Sequence, residues 1–375
     1  SLEASTSVGY AVVIGNDAMV NGDATAAADG IVAIGASAGA AIIESEGTTA
    51  IGYRALASEN DGDFSTAVGY DALFSQTGTS GDVYNTAVGY HAGRLITSGT
   101  HNTIFGANAG SGFDAESHNT FIGYTAGGAS GAISSAVAVG SNAMNGATTA
   151  NANGAVAIGL SALNVLTTAR RCTAVGFQSL DAMTTGDSGV GDSTAVGYGS
   201  LGATTGKSNT GFGMGAGDTI VAGSNNTCVG SESNVDDADA VNQTVIGFQT
   251  TGVADNSVTL GNTSVIGVYH KSTDPNIYMI NTTAGDGAGA RDSSIHFKGT
   301  QSGAELTTLG KIEVSHDLTS DDQKGKMIFY TNDGNDGDSP TARLTIDSDG
   351  SLYATNSIVY ANYFQSTTNN SSGYS

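Results

Sequence analysis

One signature governs most of this 375-residue chain: Asn-Thr-Ala-Val-Gly-Tyr-x-Ala, seen in full from Asn85 to Ala92. Its central glycine returns at Gly35, Gly52, Gly69, Gly89, Gly106, Gly123, Gly140, Gly159, Gly176, Gly197, Gly213, Gly230 and Gly247. The intervals are 17, 17, 20, 17, 17, 17, 19, 17, 21, 16, 17 and 17, with looser copies at Gly15, Gly261 and Gly267. A fixed period outranks local propensity, because each unit can bury its apolar side only against its neighbours.

Every position around the glycine has its own chemistry, which separates a structural repeat from low-complexity sequence. The preceding residue is always large and apolar, as in Ile34, Val68, Phe105, Ile158 and Phe212. Three before the glycine Thr recurs, as in Thr49, Thr66 and Thr86, and one after it Tyr or Phe is frequent, as in Tyr53, Tyr70 and Phe177. This alternation has the period of a β-strand, with Thr, Val and Tyr on one face and Ala and Gly on the other. Three after the glycine, Ala or Ser marks a tight corner, as at Ala72, Ala92, Ala109, Ala126, Ala143, Ala162 and Ser200.

Seventeen residues suit one short coil of strand, corner, strand, corner. Coils stacked at about 4.8 Å make parallel sheets, and some fifteen of them span on the order of 70 Å. The small face packs inside its own coil, so the Val and Tyr face requires cover from elsewhere. Symmetric association of identical chains supplies it most simply. The later half of each repeat carries one apolar anchor, at Ile96, Phe113, Leu166, Met183 and Ile220, interrupted by Glu59, Gln76 and Asp237. That half is expected to face water, and the excursions Phe74 to Tyr84 and Asp181 to Asp192 read as surface loops.

Composition agrees with an ordered fibrous chain. Gly numbers 55, with only 2 Pro and 2 Cys, which excludes a collagen helix and a disulfide scaffold. Charged residues are 13% of the chain and the net charge is −23, which argues against nucleic-acid backbones and anionic membranes as partners. No apolar run approaches the roughly 18 to 20 residues of a membrane span, and no leader segment is visible.

The signature stops near Tyr269. Five of the 12 basic residues lie in the first 270 positions and seven in the last 105, and Pro275 and Pro340 both fall in the later part. Ser294 to Phe297, Gly310 to Val314, Lys326 to Tyr330 and Ala342 to Ile346 alternate as ordinary strands between turn clusters. The organisation read here is a repeat β-roll over 1–268, an all-β module over 269–350 and a terminal segment over 351–375.

The repeat resembles the head repeats of trimeric autotransporter adhesins and, more closely, the Gly-rich shafts of bacteriophage tail fibres. The resemblance covers roughly residues 7 to 268, with Asn256 to Val265 similar to a closing coil. It implies a left-handed parallel β-roll and a homotrimer. Lys326 to Gly334 followed by Ala342 to Gly350 is similar to the segment that precedes a self-cleaving intramolecular chaperone of the endosialidase type in phage fibres. It further implies that a chain stopping at Ser375 is the cleaved product.

Motifs with catalytic or ligand-binding associations read as repeat features. Gly202 to Ser208 resembles a phosphate loop but is one residue short between its glycines, and it occupies a repeat corner. Gly211 to Gly217 lacks dinucleotide-fingerprint spacing. His101 and His118, each followed by Asn-Thr, are expected to stack on adjacent coils with Asn102 above Asn119. Protonation there would set like charges about 5 Å apart and loosen the stretch in acid. Cys172 and Cys228 lie three coils apart, too far for a disulfide. The Asp-rich turns at Asp236 to Asp239 and Asn332 to Asp338 lack calcium-loop spacing, and His316-Asp317 has no triad context.

These features imply an all-β fibre protein with no catalytic, cofactor or metal residues assigned. The expected role is host attachment by a virion tail fibre, with other tail proteins and a host surface glycan or protein as partners. The excursions and the later module are the expected contact regions, without a nominated receptor residue. The alternatives are a bacterial surface adhesin, and a capsule depolymerase, which needs paired acids in a groove that the scattered carboxylates do not form. Ice binding is disfavoured because only one Thr recurs per coil and its position reads as buried.

Overall fold

The computed structural model describes residues 9–20, 28–78, 81–128, 133–146, 153–165, 170–183, 191–265, 267, 292–300, 306–316, 324–334 and 338–355. The chain divides into two units, Ser1–Val268 and Tyr269–Ser375. The described residues of both form strands and turns without a helix.

The first unit is a parallel β-solenoid. Its main sheet has 15 strands in strict sequence order, from Ala11–Ile14 to Val258–Leu260. Register follows the repeat: Thr66 pairs with Thr86, Ala67 with Ala87 and Val68 with Val88, and Thr86 in turn with Thr103. Like positions therefore stand in columns. Along each three-residue strand the middle side chain points inward, which puts Ala50, Ala67, Ala87, Ala138 and Ala174 in a dry core. Larger residues at this position, Ile104 and Phe121, are equally buried.

The repeat glycine follows from the stacking distance. Gly69 has φ of 142°, and a Cβ there would lie 2.3 Å from the carbonyl oxygen of Gly89 on the next coil. Gly106 meets Gly123 in the same way. No side chain fits between coils so closely stacked.

Two expectations are corrected. The later half of the coil does not face water: Ile96, Phe113, Met183 and Ile220 are buried, because the chain must turn inward to close a coil that Ala alone cannot fill. Glu59 and Gln76 are buried as well, whereas Asp237 is exposed and Leu166 lies outside the described residues. A second strand per coil is mostly replaced by stacked turns, with Gly62–Asp63 pairing Gly81–Asp82 as a local exception. That pairing, with Val83 and Gln76 buried, folds the described residues of the Phe74 to Tyr84 excursion, 74–78 and 81–84, back onto the solenoid. Residues 184–190 of the other excursion lie outside the described residues. The Thr column lies on the same outward face as Val and Tyr, as alternation predicts, with Thr86 and Thr103 exposed in the single chain.

At the corner before the strands that start at Thr86, Thr103, Thr120, Thr210, Thr227 and Thr244 a buried amide carries the coil spacing. Asn85 Oδ1 accepts the Asn102 backbone N–H at 2.9 Å, and Asn102 Oδ1 accepts that of Asn119 at 3.0 Å. Their Nδ2 groups donate to the carbonyls of Gly99, Glu116 and Ile133. A second run links Asn209, Asn226 and Gln243. Buried amides are tolerated because each satisfies the coil above or below.

The second unit holds a five-stranded antiparallel sheet: Ser293–Thr300, Leu306–His316, Gly325–Thr331, Thr341–Ile346 and Leu352–Ala354. The first four contain the four strands expected from alternation. Pairing aligns Ile295, Ile312, Phe329 and Leu344 across one face, with Val314, Met327, Ile346 and Leu352 beside them. The opposite face carries Lys311, whose Nζ donates to Glu313 at 2.6 Å and sits 4.0 Å above the Tyr330 ring. Desolvation, then Glu313, pushes the Tyr330 phenol up to about 12. The apolar pairs of the terminal segment, Ile358 to Tyr360 and Tyr363-Phe364, lie outside the described residues.

Candidate interaction surface

The outward face of the main sheet is built from three columns: Thr, then Val, Ile or Phe, then Tyr or Phe beyond the glycine. Strand geometry places all three on one side, since each is two residues from the next. Phe105, Tyr124, Tyr198, Phe212 and Phe248 each leave more than half their surface exposed. Contiguous apolar exposure on this scale marks a contact surface.

Stacking preorganises the aromatic column. Tyr53 and Tyr70 are 5.0 Å apart between ring centroids, Tyr70 and Tyr90 5.4 Å, and Phe177 and Tyr198 5.3 Å. A separate column lines the corner before the strand, where Phe64, Tyr84, His101 and His118 follow one another at 5.4, 5.4 and 4.9 Å. All four have left-handed backbone, held by bonds between coils such as His101 N–H to Val83 O at 2.8 Å. The expected stacking of His101 on His118, with Asn102 above Asn119, is present.

A polar cluster that the sequence reading missed lies just past the tyrosines. Arg54 grips Asp71 with two bonds of 2.9 and 2.7 Å, and Arg94 Nε reaches the same carboxylate at 3.4 Å. Asp71 is 1% exposed, and both guanidinium groups lean on Phe74. His91 Nε2 stands 3.6 Å from Asp71, with its basicity lowered by burial and by the charge of Arg94. The available signal was spacing: Arg54 and Asp71 are one period apart, and Asp71 and His91 differ by a lengthened one.

Residues with chemical associations fall as follows. Cys172 and Cys228 are free and buried, and burial pushes their thiols up to about 11 and about 12. Gly202 to Ser208 crosses a turn, with Thr204 buried and Ser208 N–H bonded to Gly191 O. Gly211 to Gly217 begins inside the Thr210–Phe212 strand. Asp236, Asp237 and Asp239 are exposed in turns, and His316 is buried at the end of its strand, with Asp317 outside the described residues. Among the described residues no three His, Cys, Asp or Glu side chains converge as metal ligands, and no helix is long and apolar enough to cross a membrane.

No family model matches the chain, and no curated protein and no solved structure matches it.

Proposed function

We propose that this chain is a structural and adhesive element of a fibre, the shaft and distal part of a bacteriophage tail fibre, acting as a homotrimer without enzymatic activity. The observation that carries the reading is the outward face of the solenoid. Its Val, Ile and Phe column and its stacked aromatic runs, Tyr53 to Tyr90 and Phe177 with Tyr198, stay partly or largely exposed, as does the apolar face of the antiparallel sheet, with Phe297 and Leu352 more than half exposed. Two further copies around an axis would cover both faces. Attachment then works by multivalency: three copies of a weak receptor contact, to a surface glycan or protein, act together.

Adsorption of the purified full chain to a panel of bacterial cells tests the role. Saturable binding to some strains, lost when their surface glycan or protein receptor is removed, supports it. Shortening of capsule chains on incubation would overturn the non-enzymatic reading in favour of a depolymerase.

A further inference from the structure

The solenoid unit, residues 1–268, contains five basic residues against 22 acidic ones. Placed on their coils, the five follow a rule. In the Gly52 coil Arg54 follows the Thr49–Ile51 strand and Glu46 precedes it. The Gly89 coil repeats this, with Arg94 after the Thr86–Val88 strand and Asp82 before it. The Gly176 coil inverts it, with Arg170 and Arg171 before the Thr173–Val175 strand and Asp181 after. The Gly213 coil inverts it likewise, with exposed Lys207 before the Thr210–Phe212 strand and exposed Asp218 after. Every base thus has an acid on the opposite edge of its own coil's outward strand.

The residues after the strand share one edge. Arg94, five past its glycine, reaches Asp71, two past the preceding one. A Cβ on Gly215 would lie 3.4 Å from Asp218 Oδ2, so the same two positions adjoin there.

We propose that identical chains associate head to tail around the apolar face, without axial stagger, so that the edge after the strand of one copy meets the edge before the strand of the next at the same coil. Lys207 then faces the partner subunit's Asp218, Arg170 and Arg171 face the partner subunit's Asp181, and Arg54 and Arg94 face the partner's Glu46 and Asp82. The inversion of sign between the early and late coils makes the match specific to register. A slip of one coil sets Arg170 and Arg171 against Asn164 or Gly202 and forfeits the partner subunit's Asp181, leaving Arg171 with the Asp192 carboxylate of its own chain that it grips at 2.7 and 2.8 Å. Rim charges of this kind fix register and suppress wrong pairings more than they add affinity.

The inference rests on the proposed self-association, and the test separates the two. Lys207 is the one lysine of residues 1–268. The full chain is treated with a zero-length carbodiimide, and cross-linked oligomers are cut from a denaturing gel for peptide mass analysis. The expected product is an amide joining Lys207 to Asp218 of another chain, lost in Lys207→Arg, whose native mass stays that of the assembly. Native mass of several chains, with Lys207 joined to Glu232 of the adjacent coil or to no partner carboxylate, overturns the register and leaves self-association standing. Native mass of one chain ends both.

Discussion

The imidazole rings of His101 and His118 stack 4.9 Å apart with planes 6° from parallel, one coil above the other. Stacked rings of this kind add about 0.5 to 1.5 kcal/mol beyond the area they bury. Backbone hydrogen exchange over residues 100–119 should therefore quicken in the His101→Asn/His118→Asn variant, whose asparagines tolerate the left-handed backbone of both positions. Exchange as slow as in the native chain would contradict a stabilising stack.

Glu59 gives a pH dependence. It is buried, and burial raises its carboxyl above the ordinary range, while bonds from Gln76 and from the Gly62, Asn60 and Asp61 amides pull it down. A raised folded-state value means that the contribution to stability is complete below the unfolded value and is lost as pH rises through the folded one. The melting temperature of Glu59→Gln relative to the native chain should climb from acid to neutral pH. A difference that stays level across that range contradicts this assignment.

The asparagine ladder should be costly to interrupt. In Asn102→Ala the Asn119 N–H and the Glu116 carbonyl both lose their partner. The expected destabilisation is about 2 to 3 kcal/mol. Denaturant unfolding measures it, and a loss of only a few tenths would mean that water replaces the amide.

Stacking distance is probed at the glycines. Gly106→Ala puts a methyl 2.3 Å from the Gly123 carbonyl oxygen, whereas at Gly199, with φ of 60°, nothing lies within 4 Å. Gly199→Ala should cost about 1 kcal/mol of backbone strain. Gly106→Ala should cost on the order of 3 kcal/mol or more, because backbone of two coils must separate. Equal melting temperatures for the two variants would refute close stacking.

Much of this was legible in the sequence, for physical reasons. The 17-residue period fixes which residues share a column, so the Thr66 and Thr86 pairing and the His101 and His118 stack follow from counting. Four of the five strands beyond residue 292 follow from simple alternation. The direction of the later half-coil was not legible. One apolar residue among polar ones, such as Ile96 or Phe113, has no period to show which way it points. Glu59 and Gln76 read as solvated because the bonds that bury them lie on other coils. The Thr column was legible, because Thr alternates with the small residues that alone fit inside the coil. The Arg54, Asp71 and Arg94 cluster was written in the spacing, but it needed charges to be compared coil by coil.

Everything about assembly rests on the Val and Tyr columns being covered by further copies of the same chain. Light scattering on the purified full chain, coupled to size separation, weighs that directly. The expected result is a single species of about three times the 37.2 kDa chain mass, unchanged on dilution. A stable, soluble species of one chain mass, with those columns open to water, would contradict it.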